Sequence, residues 1–438
     1  MSTMRAILWS ILGAFLLLPK GVMVDLPMIP PLDKESIPNL AAFFVCHFVL
    51  GKRVPLLPKI GKARVLMFVY IISPFITALL NSDPVITGPF YIKGMNSYDA
   101  LSAVIRQFLF VLPFMLGLQF FKSEKALEGI LMVLAIAGLW YSIPMLFEMR
   151  MSPQLNVWVY GYFPHSFQQQ MRGDGFRPVV FIGHGLWVAF FALTALVSAI
   201  TFWKIKKSPM RQFSSGMVVA YLTVVLVLCK SMASLVYAVF LALLVKFVKP
   251  KFQLRIATIM VLVALTYPLT RGLDLFPVQQ ISELAESISE RRAESLIFRF
   301  HHEDMLLNKM EDRPFFGWGS WGRNRVYDPI TGKDMSVTDG RWIIVYSQYG
   351  WMGLIAEFGL LALPVFRSRK MIRYLKSRRE VVVMAAFSLI LAIGILDLLP
   401  NNTMTPMTWL MAGALLARTQ QIELEQKKSK ALSYKKDT

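Results

Sequence analysis

The chain has 438 residues, of which 55% are hydrophobic and only 17% charged, and its mean hydropathy is +0.51. Many of its apolar runs approach the roughly 20 residues that cross a hydrocarbon core of about 30 Å, which excludes an ordinary soluble domain and points to a polytopic membrane protein. The formal net charge of +20 invites a nucleic-acid partner, but the basic residues fall into alternate loops, which argues against one.

In chain order, the apolar runs predict an all-α fold of about twelve transmembrane helices, near residues 5–19, 37–51, 64–80, 101–121, 126–147, 179–203, 215–229, 231–247, 254–270, 342–366, 381–399 and 403–418. Pro19, Pro27, Pro30 and Pro31 interrupt the N-terminal region and shorten its spans. The first run lacks a small-residue cleavage site and reads as a retained helix. Cys46 and Cys229 lie inside expected spans and form no disulfide framework.

Basic runs follow the second span (Lys52, Arg53, Lys59, Lys62, Arg64), the sixth (Lys204, Lys206, Lys207, Arg211), the eighth (Lys246, Lys249, Lys251, Arg255) and the tenth (Arg367 to Arg379). The tail adds Lys427, Lys428, Lys430, Lys435 and Lys436. Under the positive-inside rule all fall on one side, so both termini are expected in the cytoplasm and the polar loops 81–100, 148–178 and 271–341 outside. The organisation expected is about nine N-terminal transmembrane helices over 1–270, a large periplasmic catalytic loop over 271–341 and C-terminal transmembrane helices over 342–419. A basic cytoplasmic tail, a frayed helix or disordered, occupies 420–438.

Loop 271–341 is too long to be a mere connection. Ile281, Leu284, Ala285 and Ile288 recur at helical spacing, and Leu296, Phe300, Met305, Leu306 and Met310 continue an apolar stripe suited to a membrane surface. Pro314 ends that helix, and Gly317, Gly319 and Gly322 make the following stretch turn-rich.

The segment Glu311-Asp312-Arg313-Pro314-Phe315-Phe316-Gly317-Trp318-Gly319 resembles the "rP-x-x-G-x-G" stretch of bacterial O-antigen polymerases and ligases, preceded as in that family by an arginine, here Arg299. Where many of those proteins carry His-Asn before an apolar helix with two glycines, this chain has Asp339-Gly340 followed by Gly350 and Gly353, so a carboxylate stands where the family's proposed base would be. Arg172-Gly173-Asp174-Gly175-Phe176-Arg177-Pro178, running into Phe181-Ile182-Gly183-His184-Gly185, looks like an outer loop of polysaccharide polymerases. Lys230-Ser231 sits where the ligases often carry Ser-Arg. The similarity covers about residues 170–365, and the rest by topology only.

The resemblance implies a bacterial inner-membrane glycosyltransferase that takes a polyprenyl-diphosphate-linked oligosaccharide and joins it to a growing O-antigen or exopolysaccharide chain at the periplasmic face. It implies no cofactor, and names a chain-length regulator and a flippase as candidate partners. Such a reaction expels a diphosphate, and guanidinium groups suit that leaving group because they stay protonated and bind phosphate oxygens as a fork. Arg106, expected about five residues from the outward end of the fourth span, is the sharpest candidate; its alternative role is snorkelling to the headgroups.

Arg177, Arg299 and Arg323 are further diphosphate or glycan contacts, or else surface salt bridges to Asp174, Glu303 or Asp328. Arg313 either joins them or caps a helix end, and Lys230 is as well suited to anchoring as to phosphate contact. Asp339 is the first candidate base, with a helix cap as its alternative, and Glu303 the second. His184 is either a packing histidine or a substrate contact. Trp318 and Trp321, with Trp342 nearby, offer faces for sugar stacking or interfacial anchoring.

His301-His302-Glu303-Asp304 invites a metal, but only His301 and Asp304 share a helix face, so none is expected. The missing His-Asn favours polymerase over ligase, which would transfer finished glycan to a lipid A core. A transporter of lipid-linked glycan is the alternative from another class, although paired halves with interrupted helices are not evident.

Overall fold

The computed structural model describes residues 2–26, 29–59, 61–172 and 175–434. Pro27, Gly173, Asp174, Lys435 and Lys436 lie outside the described residues, as does the side chain of Ile288.

Each of the twelve apolar runs holds a helix, because a chain in hydrocarbon satisfies its backbone polar groups only within such a segment. The described residues form α1 (Thr3–Leu17), α2 (Ser36–Phe44, extended by the π-helical turn Val45–Val49), α3 (Gly61–Leu79), α4 (Ser97–Phe120) and α5 (Glu124–Met151). The short α6 (Leu155–Tyr160) precedes α7 (Gly185–Lys204), α8 (Ser215–Leu228), α9 (Met232–Phe247) and α10 (Pro250–Gly272). The long polar segment carries α11 (Val278–Ile288) and α12 (Glu290–Met310), and α13 (Arg341–Met371), α14 (Arg378–Asp397) and α15 (Pro406–Tyr434) complete the chain.

Seven of these, α3, α4, α5, α7, α10, α13 and α14, are long and apolar enough to cross a membrane, against the twelve expected. For α1, α2, α8 and α9 the difference is one of length, whereas α15 has 29 residues and falls short in apolar composition. With 14 and 16 residues, α8 and α9 extend only about 21 and 24 Å, short of a hydrocarbon core of about 30 Å. The tail expected to fray continues α15 as regular helix to Tyr434.

The helices pack around α14, which is buried along nearly its whole length, while α3 and α10 turn about half their surface outward. Small residues set the closest crossing: a Cβ on Gly413 would lie 2.1 Å from the Phe114 carbonyl oxygen, so α4 and α15 meet backbone to backbone. A capping box starts α4 four residues earlier than its apolar run suggests, with Asn96 accepting from Tyr98 N and Asp99 N and Asp99 accepting from Asn96 N, all at 2.9–3.1 Å.

Polar segments gather at the two ends of the bundle. At one end the hairpin of β1 (Val85–Thr87) and β2 (Phe90–Ile92) and the 80–93 loop lie against residues 313–330. At the other, Glu128 pairs with Lys207 at 2.7 Å and with Arg379, and Arg367 pairs with Glu423 at 2.6 Å.

The long polar segment departs from the continuous membrane-surface stripe. Ser289 is extended (φ −172°) and divides it into two helices. Leu284 is 64% exposed, whereas Phe300, Leu306 and Met310 are buried against the bundle.

Candidate functional site

The glycine-rich stretch after Pro314 and the glycines of α13 are parts of one device. Gly350 has φ +63° and ψ −163°, which breaks α13 in two. In an unbroken helix, Trp351 N would donate to Ser347 O and Met352 N to Gln348 O. Here Trp351 N donates to Pro314 O (2.9 Å) and Met352 N to Phe315 O (3.1 Å), while Ser347 O and Gln348 O accept from Trp318 N (3.0 Å) and Gly319 N (2.9 Å). Segment 314–319 thus inserts into the helix and exchanges two ladder bonds for four. The loop is pinned from its other side by Thr77 Oγ1 on Phe316 O (2.5 Å) and Asn81 Nδ2 on Gly317 O (3.0 Å).

The break has a second effect. Sixteen residues of straight helix would hold Arg341 and Glu357 about 24 Å apart, yet they form a two-pronged ion pair at 2.6 and 2.7 Å, with Glu357 fully buried.

The insertion also brings Ser320, Trp321 and Tyr349 over α4, where they close one side of a cleft of about 270 Å³ containing Arg106. Because α4 starts at Ser97, Arg106 lies nine residues, about 13.5 Å, from that helix end, deeper than the five residues expected. Arg106 makes no ion pair or hydrogen bond among the described residues, and its guanidinium lies 5.8 Å from the Phe110 ring centroid. Asp33 and Ser36 lie on the rim, Met23, Pro31 and Leu109 provide apolar wall, and Ser320 Oγ stands 3.3 Å from Tyr349 OH. Tyr70, buried and within the electrostatic reach of Arg106 and the Arg341–Glu357 pair, has an unpartnered hydroxyl.

A second, much smaller crevice joins Arg299, His302, Glu303, Asp339 and Gly340. Arg299 Nε lies 3.4 Å from Asp339 Oδ2, and both side chains are partly exposed. Glu303 differs: it accepts from Tyr267 OH (2.9 Å), Arg271 Nε (3.2 Å) and Trp342 Nε1 (3.2 Å), a clamp that ties α12 to α10 and α13. Burial pushes its carboxyl up, opposed by these donors and the Arg271 charge. Burial and the neighbouring His301 hold His302 down. Among the described residues, no three His, Cys, Asp or Glu side chains converge as metal ligands.

A third group surrounds the start of α7. Arg177 donates through Nε and a terminal nitrogen to Lys230 O (3.2 and 3.1 Å), and Lys230 Nζ donates to Arg172 O (2.9 Å). Burial and Arg172 lower the Arg177 guanidinium to about 10. His184 caps α7 through Nδ1, which accepts from Leu186 N at 3.1 Å. Burial, the His165 ring and the two arginines depress it to about 4, so it is neutral and its acceptor is already in use. Asp174, the expected partner of this group, lies outside the described residues.

Other expected contacts are occupied within the protein. Arg323, 1% exposed, donates to Lys93 O (3.0 Å) and Asp83 O (2.8 Å) instead of facing solvent. Arg313 holds Leu80 O, Asn81 Oδ1 and Asp83 Oδ2 at 2.6–2.8 Å. Its hydrogen bond and charge offset the burial cost on Asp83 and hold that carboxyl low. Trp318 donates to Lys309 O (3.0 Å) and is flanked by Lys309 and Arg313 rather than open for stacking, whereas Trp321 is 52% exposed.

Arg341, Glu357 and Asp397 were absent from the expected site. Asp397, 3% exposed, accepts from Asn401 Nδ2 (2.9 Å) and Thr403 Oγ1 (2.7 Å) at the end of α14. Charge inside an apolar run is the signal that could have found Glu357 and Asp397. No family model matches the chain, and no curated protein matches it.

Proposed function

We propose that this chain is a bacterial inner-membrane glycosyltransferase that polymerises polyprenyl-diphosphate-linked oligosaccharide repeat units at the periplasmic face. Twelve helices, both termini in the cytoplasm and segment 271–341 outside are the topology that goes with this reading. The separation of basic runs from the long polar segments at opposite ends of the bundle supports it.

The observation that carries the reading is Arg106. An unpaired guanidinium at membrane depth is costly without a partner, and this one faces a cleft with apolar walls and a polar rim. A diphosphate on a lipid chain matches both halves of that surface. Arg106 holds the leaving diphosphate and stabilises its charge as the glycosidic bond forms. Asp339, paired with Arg299 in the separate crevice, is the base this reading assigns to the acceptor hydroxyl. That hydroxyl attacks the anomeric carbon as its bond to the diphosphate breaks, an in-line displacement with inversion that requires the substrate to bridge the two sites.

Glu303 has its oxygens engaged by three donors and acts as a positioning residue. Arg177 and Lys230 form a second cationic contact for glycan or diphosphate, and Trp321 offers the exposed stacking face.

The test incubates the purified protein, in chelator, with lipid-linked repeat units and follows products on gels. A ladder of longer lipid-linked glycans is expected, and Arg106→Ala abolishes it while leaving the protein folded in the membrane. Transfer only onto an added lipid A core would make the chain a ligase. No product with either acceptor, even with metal restored, would shift the reading to transport.

A further inference from the structure

The opposite end of the bundle holds an open cleft of about 620 Å³ that the reaction does not use. It lies where the last turns of α7 and α9 meet the first turns of α8 and α14. Lys204, Lys206, Lys246 and Arg378 line it, with Trp203 and the serines that start α8. Lys204 is turned inward onto Val245 O (2.6 Å) and Val248 O (3.0 Å), and Lys246 Nζ lies over the Trp203 ring.

Among the described residues, no carboxylate stands within ion-pair distance of these four cations. Of the acids on this end, Glu128 is shared by Lys207 and Arg379, and Glu380 is held by Arg418. Arg378 and Lys246 both lie within electrostatic reach of Lys204. Topogenic anchors need only reach headgroups or water, each at its own helix end. Lys206, Lys246 and Arg378 converge on one cavity without a counter-charge and call for an anion, while Lys204 already caps the last carbonyls of α9.

We propose that this cleft binds a phosphate ester, supplied by an anionic phospholipid headgroup or by a soluble phosphate. Helix ends at the bilayer boundary set the depth, and a diester headgroup fits a cavity of this size between basic side chains.

The full-length protein in neutral detergent is titrated with short-chain phosphatidylglycerol, with phosphatidylcholine and with inorganic phosphate, and binding is read by native mass spectrometry. Phosphatidylglycerol or inorganic phosphate binds, phosphatidylcholine does not, and whichever of the first two binds more tightly identifies the source.

The pair Lys246→Gln and Arg378→Gln weakens binding about thirtyfold, from about fivefold per cation. The pair Arg211→Gln and Lys249→Gln, exposed at the same end but outside the cleft, changes it less than about fivefold. Lys246→Arg with Arg378→Lys retains binding, which separates a lost site from a misfolded protein. Equal losses in the two neutral pairs, or binding of neither anion, would overturn the assignment.

Discussion

Replacing Gly350 by Ala tests the inserted loop directly. The φ +63°, ψ −163° conformation is essentially reserved for glycine, and a side chain there costs about 1–3 kcal/mol. The added Cβ would also lie 2.3 Å from Phe315 C and 2.4 Å from its oxygen, and backbone cannot swing aside as a side chain does, so overpacking adds about 1–3 kcal/mol. Against a total of about 2–6 kcal/mol, expulsion gives up the four exchanged bonds and regains two ladder bonds, a net cost of about 2 kcal/mol at about 1 kcal/mol each. The favourable response is expulsion of segment 314–319.

Hydrogen exchange of the Trp318 and Gly319 amides reads this out, because the Trp351 and Met352 amides regain ladder partners when the helix straightens. Protection should fall at least about thirtyfold, since about 1.4 kcal/mol is a factor of ten. Glycan product should vanish with it, because Ser320, Trp321 and Tyr349 leave the Arg106 cleft. Unchanged protection of the Trp318 and Gly319 amides would refute the exchange of two bonds for four.

The remaining expectations concern single residues. Arg106→Ala should abolish the product ladder with little change in melting temperature, because the side chain makes no hydrogen bond or ion pair to lose; a large stability loss would mean that it is structural. Asp339→Asn should slow turnover by about 10²- to 10⁴-fold in a stable protein, whereas Glu303→Gln should chiefly lower stability, measured by thermal unfolding.

His184 has its folded value depressed to about 4, below the ordinary 6.5, so the unfolded chain binds the extra proton first. Stability should therefore be fully present above about 6.5 and fall as pH drops towards 4, and His184→Asn, a cap that does not titrate, should flatten that slope in a melting series.

The helices were legible because apolar length alone specifies them, and the edges moved where capping chemistry overruled hydropathy, as at Asn96 and Asp99. The break in α13 was not legible. Residues 342–366 read as one apolar run, and nothing in helical spacing pairs a side chain with one sixteen positions on, as Arg341 pairs with Glu357.

The glycines at 317, 319 and 350 were visible as motif elements, but their shared purpose depends on contact between distant backbone groups. Arg106 and Asp339 were found through residue type and position. Arg323 and Trp318 were read as available because a loop sequence does not reveal which polar groups the protein itself consumes.

The inserted loop also has a temporal consequence. During synthesis, residues 314–319 leave the ribosome before residues 347–352, so for an interval the loop has no partner for its carbonyls and amides. The Arg106 cleft cannot acquire its Tyr349 wall until the second half of α13 is in the bilayer. A chain truncated before Gly350 would carry every arginine of the glycine-rich stretch and still lack the Trp351 and Met352 amides that hold the loop in place.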